Sequence, residues 1–129
     1  MDKQDLIKIF RNDHFATLTG IEILEAAGGF CKAQLKISDK HLNAAGVVQG
    51  GAIFTLADVA FAVASNSYGQ LALAINANIT YLKGVSEGVL YATATEFDDP
   101  KKLGAYDVKV TNEHDEIIAR FNGLVYRKV

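Results

Sequence analysis

One stretch governs what this chain can fold into. Between Ala52 and Ala64 only Thr55 and Asp58 are not apolar. The run reads as a helix from about Gly50 to Tyr68, with Gly69 placed as its C-terminal glycine. A helix that is apolar all round has to be buried. The thirteen residues from 52 to 64 are too few to span a bilayer, and Asp58 interrupts them, so the cover must be protein. Ala57, Ala60, Ala62 and Ala64 would let the backbone of a sheet or of a partner approach closely.

The material for that cover lies on both sides of the run. Gly20–Ala27 and Phe30–Ile37 read as strands joined at Gly28-Gly29. The second alternates strictly, with Cys31, Ala33, Leu35 and Ile37 against Lys32, Gln34 and Lys36. Four more strands are expected over Leu71–Lys83, Gly88–Phe97, Gly104–Asn112 and Glu116–Arg127, with a polar turn at residues 112–115. A short amphipathic segment, Asp2–Phe10, opens the chain with Asp2 as N-cap, and Asn12-Asp13-His14 interrupts it. Two strands, one central helix and four strands make an α+β fold with an antiparallel sheet over the helix. At 129 residues this is one domain, spanning 1–129.

Charge and cysteine content narrow the functions. Thirteen basic and fifteen acidic residues leave a net charge of −2, so nucleic acid is not an expected partner. Cys31 is the single cysteine, which excludes an internal disulfide and suits a reducing compartment. The start, Met1-Asp-Lys-Gln-Asp-Leu, lacks the pattern of a secretory leader, so a cytoplasmic location is expected, without membrane attachment. His14, His41 and His114 show no metal-ligand spacing, so neither a metal nor a dissociable cofactor is expected.

The chemistry concentrates between His41 and Asp58. Asp58 is a lone carboxylate in an apolar helix, costly to bury unless it is paired, hydrogen-bonded or protonated. Thr55, three residues earlier, is a possible structural partner. Alternatively, Asp58 faces a small dry pocket with a raised pKa, as a general base or nucleophile. Gly50 and Gly51 sit where the loop enters the helix, leaving N–H groups that the helix does not pair. Without side chains they admit a substrate oxygen, which is the makeup of an oxyanion hole. Glycines at helix starts are also ordinary turn residues. Gly51 and Asp58 are seven positions apart on about one face, roughly 10 Å along the axis. An acid that far from a carbonyl held at Gly51 should come from a second subunit. Two antiparallel helices would bring Asp58 of one near Gly51 of the other twice, in a two-fold dimer. Asn43 either orients the acid, the attacking water or the thioester, or caps its own loop. Gln49 either hydrogen-bonds in the same pocket or holds the loop.

The string His41-Leu-Asn43-x-x-Gly46-x-x-Gln49-Gly50-Gly51-x-x-x-x-Leu56-x-Asp58 resembles the signature of hotdog-fold acyl-CoA thioesterases, nearest the PaaI type. Asn76-x-Asn78-Ile-Thr-Tyr81-Leu-Lys83-Gly resembles the strand that follows the helix in that family. The resemblance runs over essentially the whole chain. It implies a curved sheet wrapped around one helix, dimers pairing into homotetramers, and hydrolysis of acyl-CoA to acid and free CoA. By position, Asp58 would be nucleophile or general base, the Gly51 N–H would polarise the thioester carbonyl, and Asn43 would help place water or the acid. Gln49 stands where relatives commonly have His, and Ala74 where some have a water-holding Ser or Thr. Gly50, Thr55, Phe54 and Lys83 complete the candidate substrate-binding set. Lys83 leads as a cation for the CoA phosphates, with Lys101 and Lys102 behind it. Phe15, Phe54 and Phe61 are candidates for an acyl pocket, or else core.

The favoured reading is hydrolysis of an aromatic, phenylacetyl-like, or medium-chain acyl-CoA. A non-hydrolytic acyl-CoA-binding protein would suit Gln49 and Ala74, but it has no need to bury Asp58. A hydratase or dehydratase usually sets a His across from its acid, and none flanks these glycines.

Overall fold

The computed structural model describes residues 1–97 and 102–128. Its elements follow in the order α1 (Lys3–Phe10), α2 (His14–Thr19), β1 (Ile21–Ala27), β2 (Phe30–Lys36), α3 (Gly50–Ser65), β3 (Ala72–Tyr81), β4 (Val89–Glu96), β5 (Leu103–Asn112) and β6 (Ile117–Arg127). A single 3₁₀ turn, Asp39–His41, lies between β2 and α3.

The strands form one sheet in the order β1-β2-β4-β5-β6-β3, antiparallel throughout. Helix α3 touches all six strands, so the sheet curves around it. Alternation sets the inner face: Cys31, Ala33 and Leu35 on β2, Leu90, Ala92 and Ala94 on β4, and Tyr106, Val108 and Val110 on β5 are all fully buried. The register lines up Ala33, Ala92, Val110 and Ala119 across four strands. Ala57, Ala60 and Ala64 of the helix, all fully buried, belong to the same core as that row of small side chains. Gly123 serves the same close approach: a Cβ there would fall 2.5 Å from the Phe61 ring. Phe61 in turn packs on Tyr106 and Phe121.

Several expectations change at element ends. Asp2 does cap α1, accepting the Asp5 N–H at 2.8 Å. The polar triplet after it conceals a second helix. Asp13 is the N-cap of α2 and accepts the Ala16 N–H at 2.9 Å. Helix α3 stops at Ser65, short of Tyr68, and its cap is Asn66, not Gly69. The Asn66 amide donates to the Ala62 carbonyl, while its Oδ1 accepts the Ala72 N–H at 2.9 Å. One side chain thus closes the helix and anchors the start of β3. Gly69, at φ +87°, serves the turn between them.

A buried charge links β4, β5 and β6. Arg127 on β6 donates from Nη2 to Glu96 Oε1 at 3.2 Å and to the Tyr106 hydroxyl at 2.7 Å. The Tyr106 and Tyr68 hydroxyls donate to Glu96 Oε2. Arg127 is 1% exposed, which only such a network makes tolerable. No helix among the described residues is long and apolar enough to cross a membrane. The wrapped-helix architecture is the hotdog fold.

Candidate active site

The expectation that α3 is buried on every side needs correction. Gly51 is exposed, and Thr55, Asp58, Ala62 and Asn66 are only half-buried. These positions recur at helical spacing, so they form one stripe along the whole of α3. The sheet covers the other faces. Helix α2 lies beside the first turns of the stripe and α1 beside its last, while β3 runs from Ala72, bonded to Asn66, to Tyr81, bonded to Gly50. Two separate grooves open along the stripe, one beside Gly51 and Thr55 and one beside Ala62 and Asn66, and Asp58 lies on α3 between them.

Thr55 does not satisfy Asp58. Its hydroxyl donates to the Gly51 carbonyl one turn back, at 2.7 Å. Among the described residues no group donates a hydrogen bond to the Asp58 carboxylate. Burial raises its pKa, and the nearby charge of Asp13 raises it further. The proton is thereby held more tightly than by an ordinary carboxylate, which suits a group meant to accept one.

The helix start is open as the sequence predicts. The Ala52 and Ile53 N–H groups point back to the Gln49 carbonyl. Those of Gly50 and Gly51 find no acceptor among the described residues. The two glycines differ in purpose. A Cβ on Gly50 would fall 2.9 Å from the Tyr81 ring, whose hydroxyl donates to the Gly50 carbonyl at 2.9 Å. Gly50 is therefore needed to seat β3 against the helix start. A Cβ on Gly51 would meet only Gln49 Oε1, at 2.6 Å. Its bareness leaves the N–H approachable from the groove beside α2, with the Gln49 amide alongside.

The remaining candidates divide. Asn43 holds its own loop: Oδ1 accepts the Ala45 N–H at 2.9 Å and the Val47 N–H at 3.2 Å. Its Nδ2 has no partner among the described residues. Phe54, partly buried, stacks edge-to-face on Phe121 at 5.4 Å against the core, and Phe61, 1% exposed, lies within it. Phe15 does line a groove, beside Gly51 and Thr55. Lys83 is ion-paired with Glu116 on the surface past β3. Lys102 lies over the Tyr126 ring, and Lys101 lies outside the described residues. Ala74, exposed on β3, offers no hydroxyl.

Sequence reasoning missed Asp13, Tyr81, Leu18 and Lys40. Asp13 had a signal, an Asx residue directly before a helical run. The others are placed by contacts between distant segments.

The arrangement pairs a proton-hungry carboxylate with unpaired backbone donors on one open stripe. The sequence model of the thioesterase superfamily matches residues 45–119. The chain is 45% identical over 120 residues to an Archaeoglobus fulgidus protein provisionally named an esterase, covering 92% of this chain and 78% of that one. It is 34% identical to the acyl-coenzyme A thioesterase PaaI of Escherichia coli, over 96% of this chain and 89% of the relative. The solved structure of the E. coli PaaI protein superposes with a TM-score of 0.92, covering 98% of this chain and 92% of that one. A Thermus thermophilus PaaI structure, 31% identical, gives 0.85 over 90% of this chain and all of its own. This chain belongs to the thioesterase superfamily, as a hotdog-fold acyl-CoA thioesterase of the PaaI type.

Proposed function

We propose that the chain hydrolyses an aromatic or medium-chain acyl-CoA at a site completed by a second copy of itself. The observation that carries this reading is the stripe of α3, where Asp58 and the free Gly51 N–H share one face but stand about 10 Å apart. Antiparallel apposition of two stripes brings Asp58 of one protomer to Gly51 of the partner subunit. The edge strand β3 supports that apposition. Among the described residues it pairs only with β6, and it carries no charged residue and leaves Leu73 and Ile75 about half exposed. Such an edge calls for another strand.

In this reading the thioester carbonyl rests at the Gly51 N–H, with the Gln49 amide as a second donor. Asp58 takes a proton from water, whose oxygen attacks the carbonyl carbon. The charge that develops on the carbonyl oxygen meets the Gly51 N–H and the positive end of α3. Collapse breaks the C–S bond, and the thiolate of CoA leaves with the proton. Asn43 orients the water through Nδ2. Thr55 and Gly50 shape the surface beside the carbonyl, and Lys83 exchanges Glu116 for a CoA phosphate. A cytoplasmic homotetramer of two such dimers suits the reduced, buried Cys31 and a substrate made inside cells.

A thiol-release assay tests the reading. Wild type and Asp58→Asn are compared on phenylacetyl-, hydroxyphenylacetyl-, acetyl-, hexanoyl- and decanoyl-CoA, with sedimentation of both proteins. Turnover is expected in wild type, with a loss of about 10²–10⁴ in the variant at unchanged oligomeric state. Near-normal turnover in the variant, or a monomeric active wild type, overturns it.

A further inference from the structure

We propose that helix α2 is the acyl-selecting wall of the site, with Phe15 and Leu18 contacting the acyl group of the substrate. The inference rests on the thioesterase reading and adds to it the element that chooses among acyl chains. A groove of about 610 Å³ lies between α2 and the first turns of α3. Gly51, Ala52 and Thr55 form its α3 side, so it begins at the N–H assigned to the carbonyl oxygen. Phe15 and Leu18 form its opposite side. They are 64% and 72% exposed, although they are among the largest apolar side chains outside the core. Spaced by three on a helix, they present one face. An apolar face at the rim of a cleft is a place for a ligand to cover.

The occupant is the acyl group and not the pantetheine arm. Pantetheine carries two amides and ends in phosphates, and it needs donors, acceptors and cations along its path. Lys40, the one lysine or arginine lining this groove among the described residues, has its Nζ engaged, donating to the Leu18 carbonyl at 3.1 Å. Phenyl, isobutyl and methyl groups of Phe15, Leu18 and Ala52 match a hydrocarbon chain or ring, while the polar Gln49 and Thr55 lie beside Gly51, at the end assigned to the thioester carbonyl.

The wall is held firmly enough to discriminate. The last turn of α2 leaves carbonyls without helical partners. Lys40 takes that of Leu18, and His41 Nε2 takes that of Thr19 at 2.7 Å. His41 Nδ1 accepts the Ser38 N–H at 3.0 Å. A backbone N–H only donates and a carbonyl only accepts, so the hydrogen sits on Nε2. His41 is 5% exposed, and its own carbonyl accepts the Gln49 N–H at 2.8 Å. The same short segment therefore clamps α2 and leads into Gly50-Gly51. His41 acts through α2 as a positioning residue.

The test compares wild type, Phe15→Ala, Leu18→Ala, Phe15→Leu and, as a control on another groove, Ile9→Ala. Steady-state kcat/KM is measured for phenylacetyl-, hexanoyl- and acetyl-CoA, with sedimentation of each protein. Both alanine variants are expected to lose about tenfold or more in the ratio of phenylacetyl- or hexanoyl-CoA to acetyl-CoA, with Phe15→Leu between them and Ile9→Ala unchanged. An unchanged ratio overturns the proposal. So does dissociation of the alanine variants, which makes Phe15 and Leu18 subunit contacts. Should wild type hydrolyse none of the three, the thioesterase reading fails separately. Calorimetry with a phenylacetyl-CoA thioether and free CoA then decides α2: loss of the acyl-dependent gain in affinity in Phe15→Ala sustains it, and retention overturns it.

Discussion

Asp13 caps α2 and, from that position, raises the pKa of Asp58 on α3, adding to the larger effect of burial. One carboxylate thus shapes both the wall of the groove and the basicity of the group beside it. Asp13→Asn keeps an oxygen for the Ala16 N–H, and Asn caps helices about as well as Asp. It removes only the charge. The acid limb of kcat/KM should move to lower pH in Asp13→Asn with the plateau kept. A limb that stays in place separates the two groups.

Ionised Asp58 opposes folding. Its native pKa lies above the 3.8 of the unfolded chain. Between those values the native state holds more protons, so stability falls as pH rises through the window, and the deficit persists at neutral pH. Asp58→Asn should therefore raise Tm by a few degrees at about pH 7, with a smaller gain at about pH 4. A lower Tm at neutral pH would show that the carboxylate is compensated in the assembly.

The two glycines should fail differently. Gly50→Ala pushes a methyl into the Tyr81 ring and displaces β3 from the helix start, so stability falls by about 1–3 kcal/mol in denaturant titration. Gly51→Ala meets only the mobile end of Gln49 and gains helix propensity. It should fold at near-native stability and lose about 10²–10³ in kcat as the donor N–H is crowded. Equal stability losses at both positions would contradict the distinction.

The Glu96–Arg127 pair links β4 to β6. Glu96→Gln keeps an acceptor for the tyrosine hydroxyls but removes the charge that faces a guanidinium 1% exposed. A loss on the order of 3 kcal/mol in unfolding free energy is expected, with kcat unchanged. Replacing pair and tyrosines together by apolar residues is the informative contrast, since a buried pair is costly to break but not intrinsically stabilising.

Cys31 should be inert. Burial pushes its thiol up to about 12, and the residue has no exposed surface. A colorimetric disulfide reagent at about pH 8 should react only after denaturant is added. Reaction of the native protein would mean that β2 opens.

How far the sequence reaches is clearest at α3. The unbroken apolar run with one acid dictated a covered helix, and strict alternation in β2 and β5 dictated a one-sided sheet, because a period of two sorts side chains onto opposite faces. The bare Gly50-Gly51 entry and the isolated Asp58 were legible for the same local reason. A buried charge and an unpaired N–H are visible from neighbours on one segment.

What only the tertiary structure decided is everything set by contacts between distant segments. Periodicity showed an apolar helix but not which stripe the curved sheet leaves open. Phe15, Phe54 and Phe61 look alike in sequence, yet the fold packs two against Phe121 and sets the third on the groove. Asn66 in place of Gly69, Tyr81 on Gly50, and His41 on the end of α2 depend on chain ends meeting across the molecule. Local sequence specifies which groups must be satisfied, and the packing of remote elements decides by what.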